Sequence, residues 1–584
     1  MLITELIHVY EELEKAGIVR FGWNTFGDVH YGIDIDATGR IYQILPFIEG
    51  KKPRKMLIPS STKKESSGLV DKYICGTSKY MLGYTFDNKK KAFELNEEAF
   101  EKTRNYHRKL LGTVNTPAAK AIVSYFDYYS DNLEELFETI DRENHKEYSG
   151  SVFMLCYDGK PVTEYPEIVQ AWDEELPRRM NEENDCLGIS MVSGELSKIA
   201  RLHPGISLRG GQSKPALISF NENSFTSYGL ESSANAPVSV IEAIKYTGGL
   251  NYLLETEGFH AMVGDTTVVM WTRNIDADYS SLSIDMMFGL TDENKGIDQE
   301  ELNKICKDIS AGKQVHFNEK LLLPDEEFFI AGFRPNGGRV QLEFFHESTF
   351  GELIRNIEAH YERLQLDDAK PQSLLPWMIL QETVMDADKI NKCLRRSFLL
   401  SIINNTRYPA EIYFGVLDRI RKEPQKPKNG NRKMPSKVTT RKAQVIKMYL
   451  AKNSPSSKEV ITLSLNKDAK SIGYQCGRLF AVLEKIQNDA SGAETLAVKH
   501  YNTAMVSPTF AFPKLLKLAQ HYLSKLDKWQ KVWAEKLMQE IMEHIPSFPK
   551  HLTSIEQGEF CLGYYHQKQD FFKPKNREEE VKYD

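Results

Sequence analysis

The sequence predicts an α+β N-terminal region with antiparallel hairpins, followed by an all-α C-terminal helical bundle. Three observations predict it. Before residue 350, short β-branched and aromatic runs alternate with turn residues; beyond it, apolar residues recur almost throughout at helical spacing. The stretch Glu423 to Pro435 is rich in Pro, Lys, Asn and Gly, so it cannot continue a helix and stays solvated. Charge is split as well: Gln425 to Asp584 holds 27 Lys and Arg against 16 Asp and Glu, while the remainder holds 48 against 65. The expected organisation is an α+β region at 1–350, a helical connecting region at 351–423, a linker at 424–435 and a basic helical bundle at 436–584. A chain of 584 residues accommodates three or four domains of roughly 100–200 residues each.

Leu2, Leu6, Val9 and Leu13 place a helix first, with Gly17 as its stop. Strands at Val29–Ile35 and Arg40–Phe47 are joined by a turn at Asp36 to Gly39. Helices follow from Asn96 to Leu111 and from the Thr116-Pro117 start to Tyr129. The middle mixes strands (Val152–Tyr157, Leu187–Val192, Ala216–Phe220, Thr267–Trp271) with helices (Pro166–Arg179, Val238–Leu254). Phe328–Arg334 and Arg339–Phe345 form a hairpin across Pro335 to Gly338. Helices are then expected from Thr349 on, including Asp388–Asn404, Thr440–Ala451, Lys467–Gln487, Phe512–Leu526, Trp529–His544 and Ile555–Phe572. Within Lys470–Gln487 the apolar stripe is Ile472, Cys476, Leu479, Phe480, Leu483 and Ile486, and Arg478 lies off it.

Several function classes find no support. No run of about 18 apolar residues exists, and the N-terminus lacks a basic signal region, so a membrane role is not expected. Seven cysteines without a CxxC pair suit reduced thiols in a cytoplasmic protein. There is no Walker A loop, HExxH or GxSxG motif, and no His is followed by Asp. The reading is therefore non-catalytic, with no metal and no cofactor. Metal nucleases can gather carboxylates from distant segments, so a metal-dependent nuclease is the alternative, with a purely structural scaffold as a second. Asp265 precedes an apolar strand, where a catalytic acid can sit; the turn Gly264-Asp265 is the simpler role.

Three segments suit nucleic acid. Lys51, Lys52, Arg54, Lys55, Lys63 and Lys64 lie among serines and can neutralise phosphates. In Arg209-Gly210-Gly211-Gln212-Ser213-Lys214 the glycines allow close backbone approach, Gln212 can meet a base edge and Lys214 a phosphate. In the C-terminal bundle Lys437, Arg441, Lys442, Lys447, Lys514, Lys517 and lysines beyond them suit a groove that follows a single strand. Each has a plain alternative: a solvated loop, a loop between strands and an ordinary helix face.

One long stretch carries a resemblance. It runs from Ile199-Ala200-Arg201-Leu202-His203-Pro204 through Gln212-Ser213, Leu217-Ile218-Ser219-Phe220-Asn221 and Asn235-Ala236-Pro237 to Gly264-Asp265-Thr266-Thr267-Val268-Val269-Met270-Trp271. It resembles the large subunit of the type I-C CRISPR surveillance complex, Cascade. Ile74-Cys75-Gly76-Thr77-Ser78-Lys79-Tyr80, Phe345-His346-Glu347-Ser348-Thr349-Phe350 and Gly558-Glu559-Phe560-Cys561-Leu562-Gly563 extend the similarity collinearly over almost the whole chain. Lys214 departs from the small neutral residue often found there. The resemblance implies partners: CRISPR RNA, duplex target DNA and its displaced strand, other Cascade backbone subunits, the small subunit and the helicase-nuclease. It also implies recognition of a protospacer-adjacent motif, for which Arg209, Gly210, Gly211, Gln212, Ser213, Lys214 and Asn221 are the candidates. The C-terminal bundle resembles the complex's small subunit, which this family also makes from an internal start; Met434 and Met448 lie at its edge.

Overall fold

The computed structural model describes residues 2–50, 52–60, 68–87, 90–140, 145–183, 186–209, 215–220, 222–289, 299–367, 374–423, 436–492 and 496–572. Every residue of the strand Tyr31–Ile35 is buried, because it runs antiparallel to Ile41–Pro46 on one side and parallel to Val152–Tyr157 on the other. Gly32 permits this packing: a Cβ there would stand 2.7 Å from Cys156 Sγ and 2.9 Å from the Phe47 ring. Helices Glu97–Leu111 and Pro117–Ser130 cover the sheet with Phe100, Ile122, Tyr125 and Phe126. Asn96 opens the first of them without a side-chain cap; its amide donates to Thr85 Oγ1 and the Glu94 carbonyl instead.

The expected strand Val29–Ile35 is broken at His30. Trp23–Val29 joins a separate sheet with Lys52–Pro59 and Ile48–Glu49. His30 holds the corner, donating its N–H to Val152 O at 2.9 Å and accepting the Val152 N–H at Nδ1 at 3.2 Å. A four-stranded sheet orders His260–Val263, Thr266–Thr272, Glu327–Asn336 and Arg339–Thr349, and it contains the expected hairpin. Asp265 occupies the turn beside Gly264 (φ +68°) and faces Arg334 at 3.9 Å. Ala216–Phe220 forms no strand, only a single parallel bridge from Ala216 to Arg339.

The chain divides into two units: Met1–Ala277 with Ile330–Phe345, and Asp278–Phe329 with His346–Asp584. The division differs from an expected boundary at 350. Residues 278–329 serve the helical unit, where Tyr279 meets the Phe350 ring at 4.8 Å and the Pro324 carbonyl accepts the Gly351 N–H at 2.8 Å. Contiguous reading cannot foresee this, because the long hairpin carries the chain back.

In the second unit, helices Ile472–Ser491 and Ser554–Asp570 meet through glycines. A Cβ on Gly477 would stand 2.0 Å from the Phe560 carbonyl oxygen, and one on Gly563 2.0 Å from that of Tyr474. Helices Pro508–Leu523 and Lys528–Glu543 also pack on Ile472–Ser491, so even the face away from its apolar stripe is enclosed. Arg478 is accordingly fully buried and donates to Gln567 Oε1 at 3.0 Å, Lys467 O at 3.0 Å and Glu540 at 3.1 Å.

Candidate nucleic-acid interface

Helix Val240–Glu255 is fixed at its start by a capping box: Ser239 Oγ accepts the Glu242 N–H, and Glu242 accepts the Ser239 N–H at 2.8 Å. Its last turn then anchors two segments far apart in sequence. Asn251 Oδ1 accepts the Ser207 N–H at 2.8 Å, and Asn251 Nδ2 donates to Gly205 O at 3.1 Å. One turn on, Glu255 pairs with Lys55 at 3.5 Å. Phe26, on the strand beside Lys52–Pro59, meets Tyr252 between them at 5.9 Å.

The described residues on either side of the Gly-rich loop bond to each other and to the neighbouring hairpin. Ile206 N–H donates to Pro215 O at 2.9 Å, and Val340 N–H donates to Ala216 O at 3.0 Å. Arg339 lies over the Phe225 ring at 4.0 Å on that side. Arg209, at the rim, is exposed. His203 is buried below, with Nδ1 2.8 Å from the Tyr246 hydroxyl; burial brings its pKa down to about 4. Gly210, Gly211, Gln212, Ser213, Lys214 and Asn221 lie outside the described residues, as do Lys51, Lys63 and Lys64.

On the strand Lys52–Pro59, Lys52 and Arg54 are exposed on one face. Lys55 points to the other side and is committed to Asp28 at 3.1 Å as well as to Glu255. The structure thus brings the basic strand and the segment Gly205 to Ser207, which precedes the Gly-rich loop in sequence, to a single helical turn, Asn251 to Glu255, and gives Lys55 an anchoring role in place of a free phosphate contact.

The basic bundle is revised more sharply. Lys437 is buried and donates to the carbonyls of Ile420 at 3.2 Å and Glu423 at 3.4 Å, capping the helix Ala410–Lys422. Burial, with the Lys442 charge beside it, lowers its pKa. Lys442 is buried too and pairs with Glu423; burial alone would raise that carboxyl, but Lys442 and Arg419 hold it below its ordinary value. Lys447 donates to Gln365 O at 2.6 Å beyond the helix Phe350–Leu364, and burial lowers its pKa to about 8. These lysines serve helix C-termini, where partial negative charge gathers. Arg441 is exposed.

Lys514 and Lys517 are exposed on the helix Pro508–Leu523, which contains no acidic residue. Its start at Pro508 adds a turn to the expected start at Phe512; Pro508 is the first-turn proline and Pro513 lies inside the helix. The added turn matters, because Phe510, 63 % exposed, falls in helical step with Lys514, Lys517 and His521. Beyond the next turn, Trp529 is 80 % exposed. An aromatic four residues before Lys514 was the available signal, hidden by the misplaced helix start.

Among the described residues no helix is long and apolar enough to cross a membrane, and no group of His, Cys, Asp and Glu is placed to hold a metal. No curated protein matches the chain. A family model described as CRISPR-associated protein (Cas_Csd1) matches residues 6–572. That match spans both units, with the segment held by Asn251, the basic strand and the lysine-bearing helices, and the chain belongs to the CRISPR-associated Cas_Csd1 family.

Proposed function

We propose that the chain is the non-catalytic large subunit of a type I-C CRISPR surveillance complex, acting in the cytoplasm. The observation that carries this reading is the convergence of the basic strand and of Gly205 and Ser207, shortly before the Gly-rich loop in sequence, on one helical turn, within a chain of a CRISPR-associated family. Lys52 and Arg54 hold phosphates of a duplex. The loop from Arg209 to Lys214, with Asn221, reads the protospacer-adjacent motif and helps open the duplex. Guide pairing reads the long sequence, so protein side chains need to read only the short motif. The row of Phe510, Lys514, Lys517 and His521, with Trp529 beyond, holds the displaced strand: lysines take phosphates and exposed rings stack on bases. The same subunit contacts the RNA-bound backbone and small subunits and docks the helicase-nuclease.

The test uses single-stranded DNA and salt. Replacing Lys514 and Lys517 together by alanine is expected to reduce the slope of log K against log salt by roughly 1.4, at about 0.7 per phosphate contact. Trp529→Ala is expected to weaken single-strand binding by about 1–3 kcal/mol, with duplex binding unaffected. Unchanged binding in both variants would support the scaffold alternative. Cleavage of DNA by the purified chain with Mg²⁺ or Mn²⁺ would establish the nuclease alternative; the expected result is intact DNA.

A further inference from the structure

Between Lys389 and Arg407 the chain carries five basic residues and no acidic one. Within that segment, in the second unit, Asn405 sits in the left-handed backbone region at φ +48°, a conformation asparagine tolerates. Its side-chain oxygen accepts from two cations on two other helices. Arg363 Nη2, on Phe350–Leu364, donates at 2.8 Å, and Lys452 Nζ, on Thr440–Asn453, donates at 2.9 Å. Arg363 Nη1 also donates to the Tyr408 hydroxyl at 3.2 Å. All three acceptor contacts are neutral. Asn405, Arg363 and Lys452 are half-buried, so water screens the two charges less than it would at an open surface.

Two full charges facing one amide oxygen repel each other. Burial, and then the charge of Arg363, lowers the Lys452 pKa, with no acid acting to raise it. Arg419, Lys442 and Arg478 of this unit face acids, Glu382 and Glu423, Glu423, and Glu540 respectively, while Lys437 and Lys447 each stand at a helix C-terminus, where carbonyls receive them. Among the described residues the Asn405 cluster sets two cations on one neutral oxygen with no acid in salt-bridge reach, and both cations keep N–H groups beyond those already used.

We propose that Arg363 and Lys452, converging on Asn405, form a phosphate-binding site that takes a backbone phosphate of a bound nucleic-acid strand. A phosphate supplies the missing negative charge and accepts from the guanidinium fork and the ammonium together. A polymer suits the place better than a lone anion, because Lys392 and Arg396 are exposed on the adjoining helix Lys392–Ile403 and Arg407 on the loop after it. The site itself stands on this geometry. The choice of a nucleic-acid backbone over a free phosphate rests on the proposed function.

The experiment compares the full chain with its Lys452→Gln variant. Melting midpoints are taken in inorganic phosphate and in chloride at matched ionic strength, and binding of an oligonucleotide without terminal phosphates is titrated against salt. Wild type is expected to melt higher in phosphate, and the variant to lose that response. In chloride the variant should be no less stable than wild type, because its removal of charge relieves repulsion. The oligonucleotide salt slope should fall by about 0.7. A variant less stable in chloride would show a structural lysine and overturn the proposal. A phosphate response with unchanged oligonucleotide binding would overturn the backbone assignment in favour of a free phosphate. Binding that depends on Lys514 and Lys517 tests the proposed function separately, so the two can fail independently.

Discussion

Gly477→Ala is expected to destabilise the second unit by about 3 kcal/mol or more, at the upper end of what overpacking costs. The added Cβ would lie 2.0 Å from the Phe560 carbonyl oxygen and 2.8 Å from the Tyr564 nitrogen. Backbone is the obstacle, so no rotamer change removes the clash. Helices Ile472–Ser491 and Ser554–Asp570 must move apart by about an ångström, and packed interiors tolerate little of that. The rings of Phe480, Tyr501, Phe560 and Tyr564 interlock at 5.1–6.1 Å and would lose their contacts together. Gly563→Ala, which meets the Tyr474 carbonyl oxygen at 2.0 Å, should behave alike. Gly338→Ala is the control: nothing lies within 4 Å of its Cβ position, and a change within about 0.5 kcal/mol is expected. Urea midpoints decide it; a Gly477→Ala protein as stable as the control variant would refute the close helix contact.

Acidification from pH 7.5 to 5 is expected to lower stability through buried histidines. Burial lowers the pKa of His107 to about 4; the Thr103 carbonyl opposes this only in part. His360 falls to about 3, by burial first and by the Arg363 charge second. The Ile74 N–H donates to His107 Nε2 at 3.0 Å, so the ring's proton sits on Nδ1, which faces Thr103 O at 2.8 Å. Protonating Nε2 would set one N–H against another. The same contact helps hold Ile74 at φ +48°, an unusual conformation for a β-branched residue. Each of these groups has a folded pKa below its unfolded value of about 6.5. The unfolded chain therefore binds more protons between the two values. Stability is complete above about pH 6.5 and declines as pH falls toward 4, by on the order of 2 kcal/mol per histidine at pH 5. Ordinary carboxylates titrate mostly below this window. The urea midpoint should drop between pH 7.5 and 5, and His107→Gln should show a shallower drop from a lower starting stability. An equal pH slope in the variant would remove His107 as a cause.

Much of the architecture is legible because it follows local periodicity. The apolar stripe of Ile472 to Ile486, the hairpin across Pro335 to Gly338 and the turn at Asp36 to Gly39 each carry their own signal. What periodicity misses depends on distant partners. The break at His30 depends on Val152, and the second unit's claim on 278–329 depends on Phe350. The candidate site shows the same limit. Charge alone could not separate Lys437 and Lys442, drawn inside by the carbonyls and carboxylate of a neighbouring helix end, from Lys514 and Lys517, which face solvent on a helix without acids. Nor could it show that Lys55 and the segment Gly205 to Ser207 share a helical turn, since Asn251 and Glu255 carry no pattern of their own in sequence.

We propose above all that this chain reads the short motif flanking the target. The direct measurement is the affinity of the complex, assembled with its CRISPR RNA, for duplexes identical except in that motif. With the wild-type chain a preference of about tenfold or more is expected, equivalent to the 1–3 kcal/mol carried by a base contact. With Gln212→Ala the preference should shrink and the motif choice relax, and without the chain it should vanish. A preference that persists in the absence of the chain would contradict the account.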